Sequence, residues 1–127
     1  MKTIADLINE FRNRDMEAII NKTGYRTFHL KYPELFEKIA KTATLLEKLG
    51  LKKGDRIVIW GYNCPEWAIL FLAAASRGII VVPIDFMALP DYVKRISHIV
   101  EAKLIAHSEY KLLPQIKCRA VTLESLD

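Results

Sequence analysis

The chain has 127 residues, 51% of them hydrophobic and 27% charged, enough apolar material to bury roughly two thirds of the surface its unfolded form exposes and far from the composition of a disordered segment. Length places residues 1–127 in a single domain. The net charge of +4 is a mild excess without a block of like charges or a recognised binding motif, which argues against a nucleic-acid partner, and no apolar run approaches the roughly 20 residues of a membrane span.

Met1 is followed by a polar, amphipathic segment and not by an apolar leader, which predicts a cytoplasmic protein whose cysteines, Cys64 and Cys118, stay reduced and mostly buried. Thr3 and Asp6 read as a capping pair opening a short helix, with Ile4, Leu7, Ile8 and Phe11 on one face. Two β-prone runs, Glu17 to Ile20 and Tyr25 to Leu30, flank Asn21-Lys22-Thr23-Gly24, which reads as the turn of a hairpin. Tyr32 to Leu49 is the clearest amphipathic helix. Leu35, Ile39, Thr42 or Ala43, Leu46 and Leu49 recur every three or four residues, with Pro33 in the first turn and Gly50 at the end.

The central stretch, GDRIVIWGYNCPEWAILFLAAASRGIIVVPID, organises the rest. Arg56 to Trp60 reads as a strand covered on both faces, and Ile79 to Val82 as a second that stops at Pro83. Between them Asn63 or Cys64 caps a helix, Pro65 fits its first turn and Arg77-Gly78 closes it, which makes a parallel βαβ unit. Nine consecutive apolar residues, Trp67 to Ala75, leave that helix no polar face, so it is expected to be packed on more than one side. Further on, Asp85-Phe86-Met87-Ala88 is a loop, and Pro90 and Asp91 open a helix that carries Val93, Ile96 and Val100 inward. Lys103 to His107 is a third core strand, Ser108 to Lys117 a polar stretch interrupted by Pro114, and Arg119 to Leu123 the last strand. The predicted fold is α/β: three layers, a mostly parallel sheet of about four strands with helices on both faces, and an amino-terminal β-hairpin.

Reactive constellations are sparse. The five glycines give neither G-x-G-x-x-G nor a Walker loop, His29, His98 and His107 have no metal-ligand spacing, and no serine sits in G-x-S-x-G. Asp85 stands at a strand's carboxyl end, where α/β sheets place ligands, yet its best reading is a side-chain cap on the turn that follows. Trp60 and Tyr62 read as core or interface residues. No catalytic, cofactor-binding or metal-ligating residue is assigned.

Two stretches carry a family resemblance. LKYPEL, Leu30 to Leu35, is similar to the first core motif of the adenylate-forming (AMP-binding) enzymes, and RGIIVVPID, Arg77 to Asp85, to the second; Lys-Lys-Gly-Asp and Asn-x-Pro-Glu lie between them in the family's order. The resemblance runs from about Ala18 to about His107 and leans toward acyl-CoA synthetases. One departure is Lys31, which stands where the family usually has a capping Thr or Ser.

Such enzymes use ATP and Mg²⁺ to turn a carboxylate into an acyl-adenylate and then pass the acyl group to CoA. The resemblance implies that the phosphate loop, the adenine and magnesium motif, the ribose-binding Asp and the mobile Lys lie beyond Asp127. It thus implies no cofactor in this chain, with ATP, Mg and CoA belonging to the whole enzyme. The expectation is an amino-terminal portion of a ligase, whether truncated, proteolysed or encoded by a split gene. It would be scaffolding and not catalytic by itself, with the remainder of the ligase as its partner and homodimers or larger self-assemblies forming through exposed apolar surface. The alternatives are a stand-alone α/β binding or oligomerisation module without catalysis and, less favoured, an independent hydrolase or ligase.

Overall fold

The computed structural model describes residues 3–109, 111 and 113–126, with Thr23 described by its backbone alone. Helix α1 (Ile4–Glu10) opens on the expected reciprocal cap: the Asp6 N–H donates to Thr3 Oγ1 at 3.1 Å and the Thr3 N–H to Asp6 Oδ2 at 3.2 Å. A 3-10 turn (Phe11–Asn13) follows, so Leu7, Ile8 and Phe11 meet the core while Ile4, one turn earlier, overhangs it and is exposed.

The hairpin of β1 (Glu17–Thr23) and β2 (Arg26–Lys31) is antiparallel, and its turn differs from the expected one. Asn21, Lys22 and Thr23 continue β1, pairing with Phe28, Thr27 and Arg26, and the chain reverses through Gly24-Tyr25 alone. Gly24 has φ +59° while Tyr25 stays at negative φ, the pattern of a II′-type two-residue loop, whose twist matches the flanking strands. A two-residue loop lengthens the ladder, and the polar residues read as turn-formers become strand residues of a solvated ribbon.

Helix α2 (Tyr32–Lys48) starts on Lys31, which has no side-chain oxygen to offer; the Glu34 carboxylate instead accepts the Lys31 N–H at 3.4 Å. Leu35, Ile39, Thr42, Ala43 and Leu46 are buried, as their spacing predicts, whereas Leu49 is only partly covered. Strand β3 (Arg56–Trp60) and helix α3 (Pro65–Ser76) have the predicted bounds, with Cys64 as the cap.

Strand β4 (Ile80–Ile84) overturns one expectation, because it runs through Pro83. The sheet order β4-β3-β5-β6 makes β4 an edge. The Ile80 N–H points at β3, donating to the Asp55 carbonyl at 2.8 Å, so Val82 and Ile84 also face β3 while Val81 and Pro83 face outward. The proline therefore removes no ladder bond.

Helix α4 (Pro90–Ile99), β5 (Leu104–His107) and β6 (Arg119–Thr122) follow, and Leu123, expected in the last strand, opens a 3-10 turn (Leu123–Leu126). All strands of the four-stranded sheet are parallel. Alternation along β3 and β5 sends Ile57, Ile59, Leu104 and Ala106 to one face, under α1, α2 and α3, and Val58, Trp60 and Ile105 to the other, under α4 and the segment carrying Leu113, Ile116 and Cys118. Tyr110 and Leu112, within the stretch read as polar, lie outside the described residues. Among the described residues no helix is long and apolar enough to cross a membrane.

Candidate functional site

Chain direction through the sheet decides where a ligand could meet it. From β3 the chain leaves toward β4, and from β5 it leaves the other way toward β6, so the topological switch point lies between the carboxyl ends of β3 and β5. That crevice is filled. A Cβ on Gly61 would stand 2.7 Å from Leu123 Cδ1 and 3.3 Å from the Ser108 nitrogen, so this position needs a residue without a side chain. The Glu124 carboxylate closes the crevice from above, accepting from the buried Ser108 hydroxyl at 3.2 Å and from the Glu109 N–H at 3.0 Å.

Open space lies one strand over. A cavity of about 420 Å³ sits above the ends of β3 and β4 and the start of α3, with Tyr62, Trp67 and Phe86 as its aromatic walls, and its size is that of a small-ligand pocket. Tyr62 and Phe86 meet edge to face at 5.6 Å. Lys111 holds its ammonium 3.9 Å from the Phe86 ring centroid and 5.4 Å from that of Trp60. The Trp60 indole N–H is buried and has no hydrogen-bond partner among the described residues.

The residues weighed in the sequence fall as follows. Asp85 lies at the cavity, and its Oδ1 accepts the Met87 N–H at 2.8 Å while its carbonyl accepts from Ala88 at 2.9 Å, so it caps its own turn as expected. Trp60 is core, and Tyr62 forms part of the cavity wall. The histidines are dispersed: His29 pairs with Glu17 on the hairpin, His98 is exposed on α4, and His107 Nδ1 lies 3.0 Å from the Ser108 carbonyl oxygen. Cys64 and Cys118 are both free and half-buried. Burial pushes the Cys64 thiol up to about 11, the Glu66 and Glu124 carboxylates adding to the effect and the Trp67 N–H opposing it.

Among the described residues no group of three or more His, Cys, Asp or Glu could hold a metal ion. Asp85, the carboxylate in the cavity lining, is committed to its own turn, so the lining side chains do not fit a magnesium–nucleotide site unaided. Lys111, Ser108 and Glu124 were missed in the sequence. The signal available was parallel pairing itself, which sets the residues after β6 beside those after β5.

The family model for AMP-binding enzymes matches residues 9–125, more of the chain than the motifs alone suggested. The chain belongs to the AMP-binding enzyme family. It is 34% identical over 86 residues to the medium-chain acyl-CoA ligase ACSF2, mitochondrial, of Bos taurus, a match that takes in 66% of this chain and 14% of that protein. With the crotonobetaine/carnitine–CoA ligase of Salmonella paratyphi A it shares 43% identity over 54 residues, 42% of this chain and 10% of the relative. The fold superposes on the N-terminal subdomain of Klebsiella oxytoca NpsA with a TM-score of 0.85 at 23% identity, covering 99% of this chain and 32% of that subdomain. This AMP-binding family member thus spans about a seventh of the acyl-CoA ligase it matches.

Proposed function

We propose that this chain is the amino-terminal scaffold of an AMP-forming acyl-CoA ligase that activates a carboxylic acid, of the fatty-acid class, to acyl-adenylate and acyl-CoA. The observation that carries this reading is the family match over residues 9–125 combined with similarity to CoA ligases. Its role is architectural: the sheet positions a carboxyl-end surface with Tyr62, Trp67 and Phe86 for the rest of the ligase to cover. Adenylation requires charge stabilisation at the transferring phosphoryl group, and among the described residues no group of three or more His, Cys, Asp or Glu could hold a metal ion for it. Free thiols at Cys64 and Cys118 suit a reducing compartment, consistent with the cytoplasm.

Pyrophosphate exchange with a panel of medium-chain acids tests the reading. The chain alone should give no exchange, and any signal dependent on it overturns the scaffold role. Co-expression with a medium-chain acyl-CoA ligase lacking its own matching segment should restore acyl-CoA formation. If both parts are soluble and no product forms, the assignment to a CoA ligase fails.

A further inference from the structure

The end of the sheet opposite the aromatic cavity carries a second hollow, which the ligase reading does not use. It opens between the last turn of α4, the turn at Glu101 and Ala102, and the approach to β6, with a volume of about 650 Å³. Its floor is apolar, made by Ala102, Ile116 and the Cys118 thiol, which burial pushes up from its ordinary value. Around the rim stand Lys94, Lys103 and Lys117, none of them in an ion pair among the described residues, together with His98 and a single carboxylate, Glu101.

Two features set this hollow apart from a solvated lysine patch. Ser97 is only 6% exposed and lines the hollow, and its hydroxyl has no hydrogen-bond partner among the described residues, although buried hydroxyls are normally satisfied. Glu101 is the one non-glycine residue at positive φ (+54°) among the described residues, and that bend brings Lys103 beside the α4 end. The carbonyls of the last α4 turn, which would repel an anion, are covered: Ile96 O takes the Val100 N–H, Ser97 O the Ala102 N–H and His98 O the Glu101 N–H.

We infer that this groove binds a phosphate monoester with a compact organic body. Three ammonium groups against one carboxylate leave an excess of two positive charges, which matches a phosphate dianion. The volume exceeds what a bare ion needs, and the apolar floor receives the organic part. The unpaired Ser97 hydroxyl is closed off from solvent in the free chain and becomes a neutral donor when a ligand displaces the side chains over it. This site stands independently of the ligase assignment.

The test is a titration of the 127-residue chain with phenyl phosphate, followed by ¹H–¹⁵N spectra, with phenol and inorganic phosphate as controls. Saturable shifts are expected at the amides of Ser97, Ala102, Lys103 and Cys118, with none from phenol. Lys103→Glu combined with Lys117→Glu should weaken binding at least about tenfold, and Glu101→Gln should tighten it about two- to threefold. Ser97→Ala should weaken binding while raising the thermal midpoint of the free chain, because it removes an unpaired buried hydroxyl; a serine with a purely structural role would leave binding unchanged. Shifts that fail to saturate, that survive the double charge reversal, or that phenol reproduces overturn the proposal.

Discussion

At Cys64 local environment decides chemistry. A free thiol with an ordinary value of 9.0 is half ionised at pH 9, whereas one raised to about 11 is thiolate in only about one molecule in a hundred at that pH. Alkylation of Cys64 by iodoacetamide at pH 9 should therefore run roughly fifty-fold slower than that of the unfolded chain. Stability follows with a definite sign. The folded value lies above the unfolded one, so the contribution is whole below pH 9 and is lost as pH rises through about 11. The urea midpoint should fall more between pH 9 and 11 in the native chain than in Cys64→Ser, and equal falls would contradict the burial account. Gly61 makes the complementary case through space. Gly61→Ala must displace Leu123 Cδ1 and press on the Ser108 backbone, at a cost of about 1–3 kcal/mol measured by denaturant unfolding. Cys64, Gly61, Ser108 and Glu124 also show why the site was hardly legible in the sequence. Each is ordinary alone, and only the strand order brings them together.

Elements were far more legible, because periodicity and punctuation are local. Arg56–Trp60 and Pro65–Ser76 have their predicted limits, since turn formers bound the strand and a proline at the first position followed by Arg77-Gly78 bounds the helix. The errors share one cause: a local signal was read without knowing its neighbours. Asn21-Lys22-Thr23 resembles a turn until its partners Phe28, Thr27 and Arg26 are known, and Pro83 resembles a stop until β4 is known to be an edge. The edge account makes a position-specific prediction. Val82→Pro would delete an N–H that faces β3 and strand the opposing carbonyl, costing about 1–3 kcal/mol, although its neighbour is already proline. Pro83→Val should stay within about 0.5 kcal/mol of the parent, since it adds only an outward N–H. Paired urea curves decide the matter; equal losses would overturn the edge account, and a reversed order would place the outward and inward positions the other way round.

Taken whole, the molecule is unevenly covered. Among the described residues seventeen buried ones form the core under α1, α2 and α3, against six on the other face, where α4 and the coil carrying Leu113 and Ile116 share the work. The uneven side is also where apolar side chains project: Met87 is 76% exposed, Leu89 73% and Ile99 67%, and Tyr92 shares the outer stripe of α4 with Ile99. On the opposite side Trp67 and Phe71 stack at 5.6 Å on a half-open face of α3, a helix that is packed on more than one side, as expected, by α1, α2, β4 and the last 3-10 turn. Water contact with such clusters is costly, at roughly 25 cal/mol per Å², and a second copy of the chain can relieve it when the rest of a ligase is not there to do so. Light scattering should thus give a molar mass above 14.6 kDa that rises with concentration, accompanied by binding of a hydrophobic dye. Met87→Ser, Leu89→Ser and Ile99→Lys together should return the mass toward the monomer and reduce the dye signal without changing the unfolding free energy by more than about 1 kcal/mol, because none of the three belongs to the core. A monomer at every concentration with no dye bound would mean that the α4 stripe is tolerated in water, and association would then have to be sought at the Trp67 face or abandoned.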